Sequence, residues 1–224
     1  MKKELLTGLA LALLLSGCSD GAAAPEEEAE TAETPAAEPE TASGGIPDFY
    51  EGYVANPQVT DDRALTETGQ TVRDANGQIT LKAIASPDAA VEIGGIELTV
   101  HEAKVFMFQP DYSLTDFYHH YTDEEEFAVV KAFVSFTNTT DAPLQFAPVA
   151  LASTDTGEER TWEDDIYLEE MNGEIALGET VKGSIGFVVD DAEVGSLTLT
   201  TSDVFSADDE KVADAAKIEI QFTE

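Results

Sequence analysis

Apolar side chains recur at every second position from residue 79 towards the C-terminus, a period that fits β-strands and leaves no long segment with a helical repeat. Ile79, Leu81 and Ala83 alternate with Thr80 and Lys82. Val130, Ala132, Val134 and Phe136 share one face, with Lys131, Ser135 and Thr137 on the other. Val181, Ile185, Phe187 and Val189 alternate with Lys182 and Ser184. Leu197 and Leu199 sit among threonines, and Ile218, Ile220 and Phe222 close the pattern. Short strands parted by Asn, Asp, Gly and Pro turns predict an all-β, antiparallel sandwich.

Two local features refine this. Val91 and Ile93 precede Gly94-Gly95, and Ile96, Leu98 and Val100 follow, which predicts a hairpin with a glycine turn. Even positions point inward there, yet Ala103, Val105 and Met107 continue on odd ones. The phase slips near His101-Glu102, as a β-bulge or strand break would require. Asp74-Ala75-Asn76-Gly77 mimics half of an EF-hand loop but lacks the other ligand positions, and is read as an Asn-Gly turn.

The run VVKAFVSFTNTTDAPLQF (129–146), the Gly178-Glu179 turn and VKGSIGFVVD (181–190) resemble the telokin-like domains of bacterial lipoproteins. The likeness spans residues 78–224 and implies an immunoglobulin-like sandwich in an extracytoplasmic setting, without assigning functional residues. The Cys–Trp–Cys centre of antibody domains is missing, since Trp162 stands alone and the single cysteine lies far upstream.

Residues 1–17 read as a signal peptide: Lys2 and Lys3 lead an apolar run from Leu5 to Leu15. That run is too short to cross a bilayer core, which takes roughly 20 apolar residues. Leu15-Ser16-Gly17-Cys18 resembles the lipobox of bacterial lipoproteins, which implies cleavage before Cys18, a diacylglycerol thioether on its sulfur and acylation of its amino group, as by palmitate. Cys18 is the only cysteine, so no internal disulfide can form and the lone thiol of an exported chain needs another role. The plainer alternative is a secreted protein cut near Cys18. Two or more acyl chains give durable attachment to the cell membrane.

Residues 18–45 carry eight acids and no Lys, Arg or aromatic residue, the composition of a disordered, self-repelling tether. A neutral flexible chain of that length spans about 30 Å. Residues 46–77, with Phe49, Tyr50 and Tyr53, do not fit the sandwich pattern and are expected to form an N-terminal extension leading into the first strand. The formal charge is −35, and the part from residue 46 onward keeps 37 acids against nine bases, because nine acids and Lys2 and Lys3 precede it. Nucleic-acid binding needs a basic footprint, which is lacking. The excess reads as a solvated acidic surface suited to saline or alkaline surroundings, with a calcium-rich surface as the competing explanation.

The segment 109–127, QPDYSLTDFYHHYTDEEEF, separates two predicted strands and concentrates Tyr112, Phe117, Tyr118, His119, His120 and Tyr121. An aromatic-rich loop in a small domain suits a binding surface. The alternative is a short helix or loop that caps one end of the sandwich, its rings forming a satellite core. His119 and His120 beside Asp116, Asp123 and Glu124 match no zinc spacing. Calcium has candidate carboxylates at Asp61-Asp62, Glu163-Asp164-Asp165 and Asp208-Asp209-Glu210, although runs of acid do not by themselves arrange six to eight oxygens. No nucleophile elbow, zinc-protease, P-loop or dinucleotide motif occurs. The expectation is therefore a non-catalytic, membrane-anchored lipoprotein on the extracytoplasmic face. It would act as a protein-interaction or adhesion module towards an envelope protein or cell-wall component, without a cofactor. A calcium- or ligand-binding module is the alternative.

Overall fold

The computed structural model describes residues 45–222. The expected signal peptide, Cys18 and nearly all of the acidic tether lie outside the described residues. Among the described residues fourteen strands are formed: β1 Thr71–Asp74, β2 Gly77–Ala85, β3 Ala89–Ile93, β4 Ile96–Pro110, β5 Phe127–Asn138, β6 Leu144–Phe146, β7 Leu151–Thr154, β8 Glu159–Thr161, β9 Gly173–Ile175, β10 Thr180–Val189, β11 Ser196–Thr200, β12 Val204–Ser206, β13 Lys211–Ala213 and β14 Lys217–Gln221. A six-stranded sheet runs β1-β2-β4-β5-β10, with β3 also paired to β4, and two four-stranded sheets run β14-β11-β7-β8 and β13-β12-β6-β9. The strand pairs are antiparallel, so the molecule is the all-β sandwich that the alternating pattern predicts.

The larger core lies between the sheets. Val130, Ala132, Val134 and Phe136 of β5 pack in it with Leu144, Phe146, Leu197, Leu199, Ile218 and Ile220. The Gly94-Gly95 hairpin forms as the sequence predicts, with Ile93 opposite Ile96 and positive φ at both glycines, +56° and +95°. A two-residue turn of this hand needs that backbone, and a Cβ on Gly95 would lie 2.2 Å from Thr140 Cγ2. The tight turn at the β1–β2 hairpin differs from expectation. Asp74 pairs with Gly77, so Ala75 and Asn76 are the turn residues and Gly77 already belongs to the ladder. Strand β1 thus falls within residues 46–77, and the sandwich begins earlier than the periodicity suggested, because four residues are too few to display a period.

The β-bulge is where the phase slip placed it. The β4–β5 register shifts between Val100 and Glu102. The extra residue turns two neighbours, His101 and Glu102, towards the same side of the sheet and returns Ala103 and Val105 to the large core.

The second face of the six-stranded sheet is also covered. Alternation assigned Lys131 and Ser184 to a polar face, yet Lys131 is 2% exposed and Ser184 is fully buried. A second core, including Val59, Leu65, Phe106, Phe108, Tyr118, Phe127, Val129 and Ile166, lies on that face. Its cover comes from three non-strand segments: residues 46–66 (the strap hereafter), the 111–126 connection, and the run from Trp162 to Met171. A sheet covered on both sides has no solvent face for alternation to report.

Candidate functional site

The 111–126 connection starts at Asp111, whose carboxylate accepts hydrogen bonds from the Ser113 amide (3.0 Å) and hydroxyl (2.8 Å). That closes a 3-10 turn at Tyr112–Leu114, followed by one helical turn at Thr115–Tyr118. The turn separates the six aromatic and histidine residues singled out from sequence. Tyr118 points inward, 2% exposed, with its ring 5.3 Å from Phe108 and 5.1 Å from Phe127. Its hydroxyl donates to the Gln58 carbonyl at 2.7 Å, tying the connection to the strap. Phe117 and Tyr121 are half-buried against it. Tyr112 is 91% exposed, and His119 and His120 are exposed as well. His120 Nδ1 turns back to the Asp116 and Phe117 carbonyls at 3.2 Å.

What remains outside is a groove of about 470 Å³. Tyr112 and His119 line it together with Gln109, Pro110, Thr115, Asp123, Glu124 and Glu125. It joins one exposed ring and one imidazole to three carboxylates, a lining that favours cationic over anionic groups.

Of the candidate calcium carboxylates, Asp61, Asp62, Asp164 and Asp165 have protein partners. Asp61 takes two bonds from the Arg63 guanidinium, at 2.8 and 2.7 Å, which hold it below the usual carboxylate range. Asp164 belongs to a capping box with Thr161. Asp165 accepts from the Gly186 and Tyr167 amides at 2.9 and 3.1 Å, yet burial outweighs these bonds and lifts it to about 6. Among the described residues, no group of three His, Cys, Asp or Glu side chains could hold a metal ion.

The densest polar constellation was not singled out from sequence. It lies beneath the strap. Asp62 reaches Lys131 Nζ at 2.6 Å and Lys104 Nζ at 3.2 Å, and Lys104 also meets Glu102 at 2.8 Å. The Tyr50 hydroxyl donates to Glu102 at 2.7 Å and sits 3.3 Å from Lys131. Burial would raise Asp62, but the two ammonium groups outweigh it and hold the carboxyl at about 2. Tyr50 is pushed well above the ordinary phenol range by burial and by Asp62 and Glu102. Beside this network Tyr53 donates to Glu169 at 2.5 Å and lies 3.0 Å from Ser184 Oγ. Phe49 stacks on His101, ring centroids 5.3 Å apart. Burial lowers the His101 pKa, keeping that imidazole neutral near pH 7.

The network is enclosed, so its chemistry is positional. It fixes the strap's register on the sheet through charges that cannot be left unpaired. The signal was present in FAVVKAFVSF and EAKVFMF, where a lysine interrupts each apolar run. Period two explains it away as an outward residue. The bulge supplies the other half, since it sets Glu102 under Tyr50 and His101 under Phe49.

Comparison with known proteins adds kinship without activity. The YdhF protein of Bacillus subtilis (strain 168), described as uncharacterized, is 40% identical over 236 residues, covering 98% of this chain and all of YdhF. Among solved structures, a functionally unknown protein from Listeria monocytogenes EGD-e aligns at 12% identity and a TM-score of 0.48, covering 65% of this chain and 88% of that one. The yjhA protein of Bacillus subtilis aligns at 14% identity and a TM-score of 0.31, covering 70% and 99%. A family model described as a domain of unknown function matches residues 66–212, the greater part of the chain and all of the sheet side of the buried network, and on that match the chain belongs to the DUF4352 family.

Proposed function

We propose that this DUF4352 protein is a non-catalytic binding module, anchored through lipid on Cys18 to the extracytoplasmic face of the cell membrane. Its groove takes a cationic segment of another envelope protein or a cell-wall component. The observation that carries the proposal is Tyr112, 91% exposed at the rim of a groove that also holds Asp123, Glu124 and Glu125. A large ring left in water costs solvation free energy unless something covers it, and rings at the centre of an interface contribute strongly to binding. Carboxylates beside it select a positive group by Coulomb attraction, which also speeds encounter. The anchor rests on Leu15-Ser16-Gly17-Cys18 behind an apolar run. The telokin-like, immunoglobulin-like character suggested by residues 129–146 and 181–190 belongs to the same proposal.

The full chain, in detergent, serves as bait in a native envelope extract beside a Tyr112→Ala/His119→Ala variant and an Asp123→Asn/Glu124→Gln/Glu125→Gln variant. Tyr118 is left intact because its loss would damage the core. A partner retained by the wild type and lost with either variant supports the module, and retention that ignores both removes the groove from its function. Labelling with palmitate tests the anchor: Cys18→Ala should abolish incorporation.

A further inference from the structure

The strap closes over a small cavity that the ion network does not account for. Thr60, Asp62, Lys131 and Tyr167 contribute to its lining, and its volume is about 10 Å³. Two hydroxyls on this lining, Thr60 Oγ1 and Tyr167 Oη, are the buried side-chain polar atoms among the described residues that find no protein hydrogen-bond partner. They belong to residues only 1% and 3% exposed. They come from separate segments, the strap and the 162–171 run, so one local distortion cannot explain both. A buried hydroxyl without a partner costs about 1–3 kcal/mol, and native interiors hold few of them.

The Lys131 ammonium has three protons, and its protein acceptors are Asp62 Oδ1 at 2.6 Å and the Tyr50 hydroxyl at 3.3 Å. It also stands 5.6 Å from the centre of the Tyr167 ring. The charged residues of its lining balance: Asp61 and Asp62 stand against Arg63 and Lys131. A cation entering the cavity would meet Lys131, and an anion would meet Asp62, so a neutral ligand fits. The volume reaches the ~10–15 Å³ that one water needs and excludes anything larger.

We propose that this cavity is a site for a single water molecule, bridging Thr60 on the strap to Tyr167 on the 162–171 run beside Lys131. The water accepts from the ammonium and exchanges hydrogen bonds with both hydroxyls. It thereby adds a link between two non-strand segments that also meet through the Tyr53 bond to Glu169, 2.5 Å, and the Asn56 bond to the Tyr167 carbonyl, 2.7 Å.

Thr60→Val and Tyr167→Phe are close in shape to the native residues and leave the ion network in place. Thermal unfolding of the full chain separates the cases by sign. With a bridging water, each substitution lowers Tm by about 2–4 °C, and the double variant loses less than the sum because both hydroxyls share one molecule. In a dry cavity each substitution deletes an orphaned group, so Tm rises or stays level, and that result overturns the proposal. A strictly additive loss overturns the shared water as well. A crystal structure gives the direct readout: a density peak within hydrogen-bond reach of both hydroxyls supports the site, and empty density at a resolution that shows other buried waters rejects it.

Discussion

Lys131 Nζ, midway along β5, lies 2.6 Å from Asp62 Oδ1 on the strap, 69 residues earlier in the chain. A central strand and an irregular segment are thus locked together by a buried charge pair rather than by backbone pairing. Lys104 on β4 and Glu102 beside the bulge extend the lock.

Asp62→Ala leaves Lys131 without its carboxylate and is expected to cost about 3–5 kcal/mol. In a domain of this size that lowers Tm by on the order of 10 °C. Asp62→Leu with Lys131→Met removes both charges and leaves the Lys104–Glu102 pair, so much of the loss should return. Thermal unfolding of the wild type, Asp62→Ala and the double variant decides it, and a double variant no more stable than Asp62→Ala would refute the charge-pair account.

Acid and neutral pH act on different carboxyls. The Asp62 pKa is depressed to about 2, so its stabilising contribution is present above about pH 4 and disappears as pH falls through 2. Asp165 is raised to about 6, so its contribution is full below about pH 4 and is lost as pH rises through 6. Asp165→Asn should therefore gain on the wild type as pH rises from 4 to 7, by no more than about 3 kcal/mol. Urea titrations at both pH values measure that gain. A constant difference between the two proteins would show that Asp165 does not carry the slope.

The aromatic connection should divide under mutation as it divides in space. Tyr118→Ala is expected to destabilise by about 3–5 kcal/mol, and Tyr118→Phe by about 1 kcal/mol for the lost bond to Gln58. Tyr112→Ala should change stability by less than about 0.5 kcal/mol while weakening capture of the groove's partner. Equal destabilisation by the two alanine variants would mean that Tyr112 is part of the core.

Calcium is expected to leave the melting curve unchanged, with or without chelator, because Asp61, Asp62, Asp164 and Asp165 already have protein partners. An EDTA-sensitive Tm restored by calcium would favour the calcium-binding alternative over the interaction module.

The longer strands, the Gly94-Gly95 hairpin and the slip at His101-Glu102 could be read from sequence because each is a local matter of period, turn backbone and phase. The aromatic segment was also legible as a feature, since nothing in the alternating pattern absorbs it. Its interior was not: a single helical turn after Asp111 sends Tyr118 inward and leaves Tyr112 outside, and no residue spacing states which ring meets Phe108.

The buried network was hidden for a related reason. In Val130-Lys131-Ala132 the lysine occupies the position where a half-exposed strand puts its polar residue, and the sequence cannot tell a solvent face from a covered one. Local chemistry by itself determined that the chain makes antiparallel strands, that it turns at Gly94-Gly95, and which residues of β5, β10, β11 and β14 face the large core. Only the tertiary structure decided that the opposite side is buried too. That depends on residues 46–66 and 162–171, distant in sequence, crossing the sheet and bringing Asp62 to the two lysines, because burial is a property of what covers a residue and not of the residue.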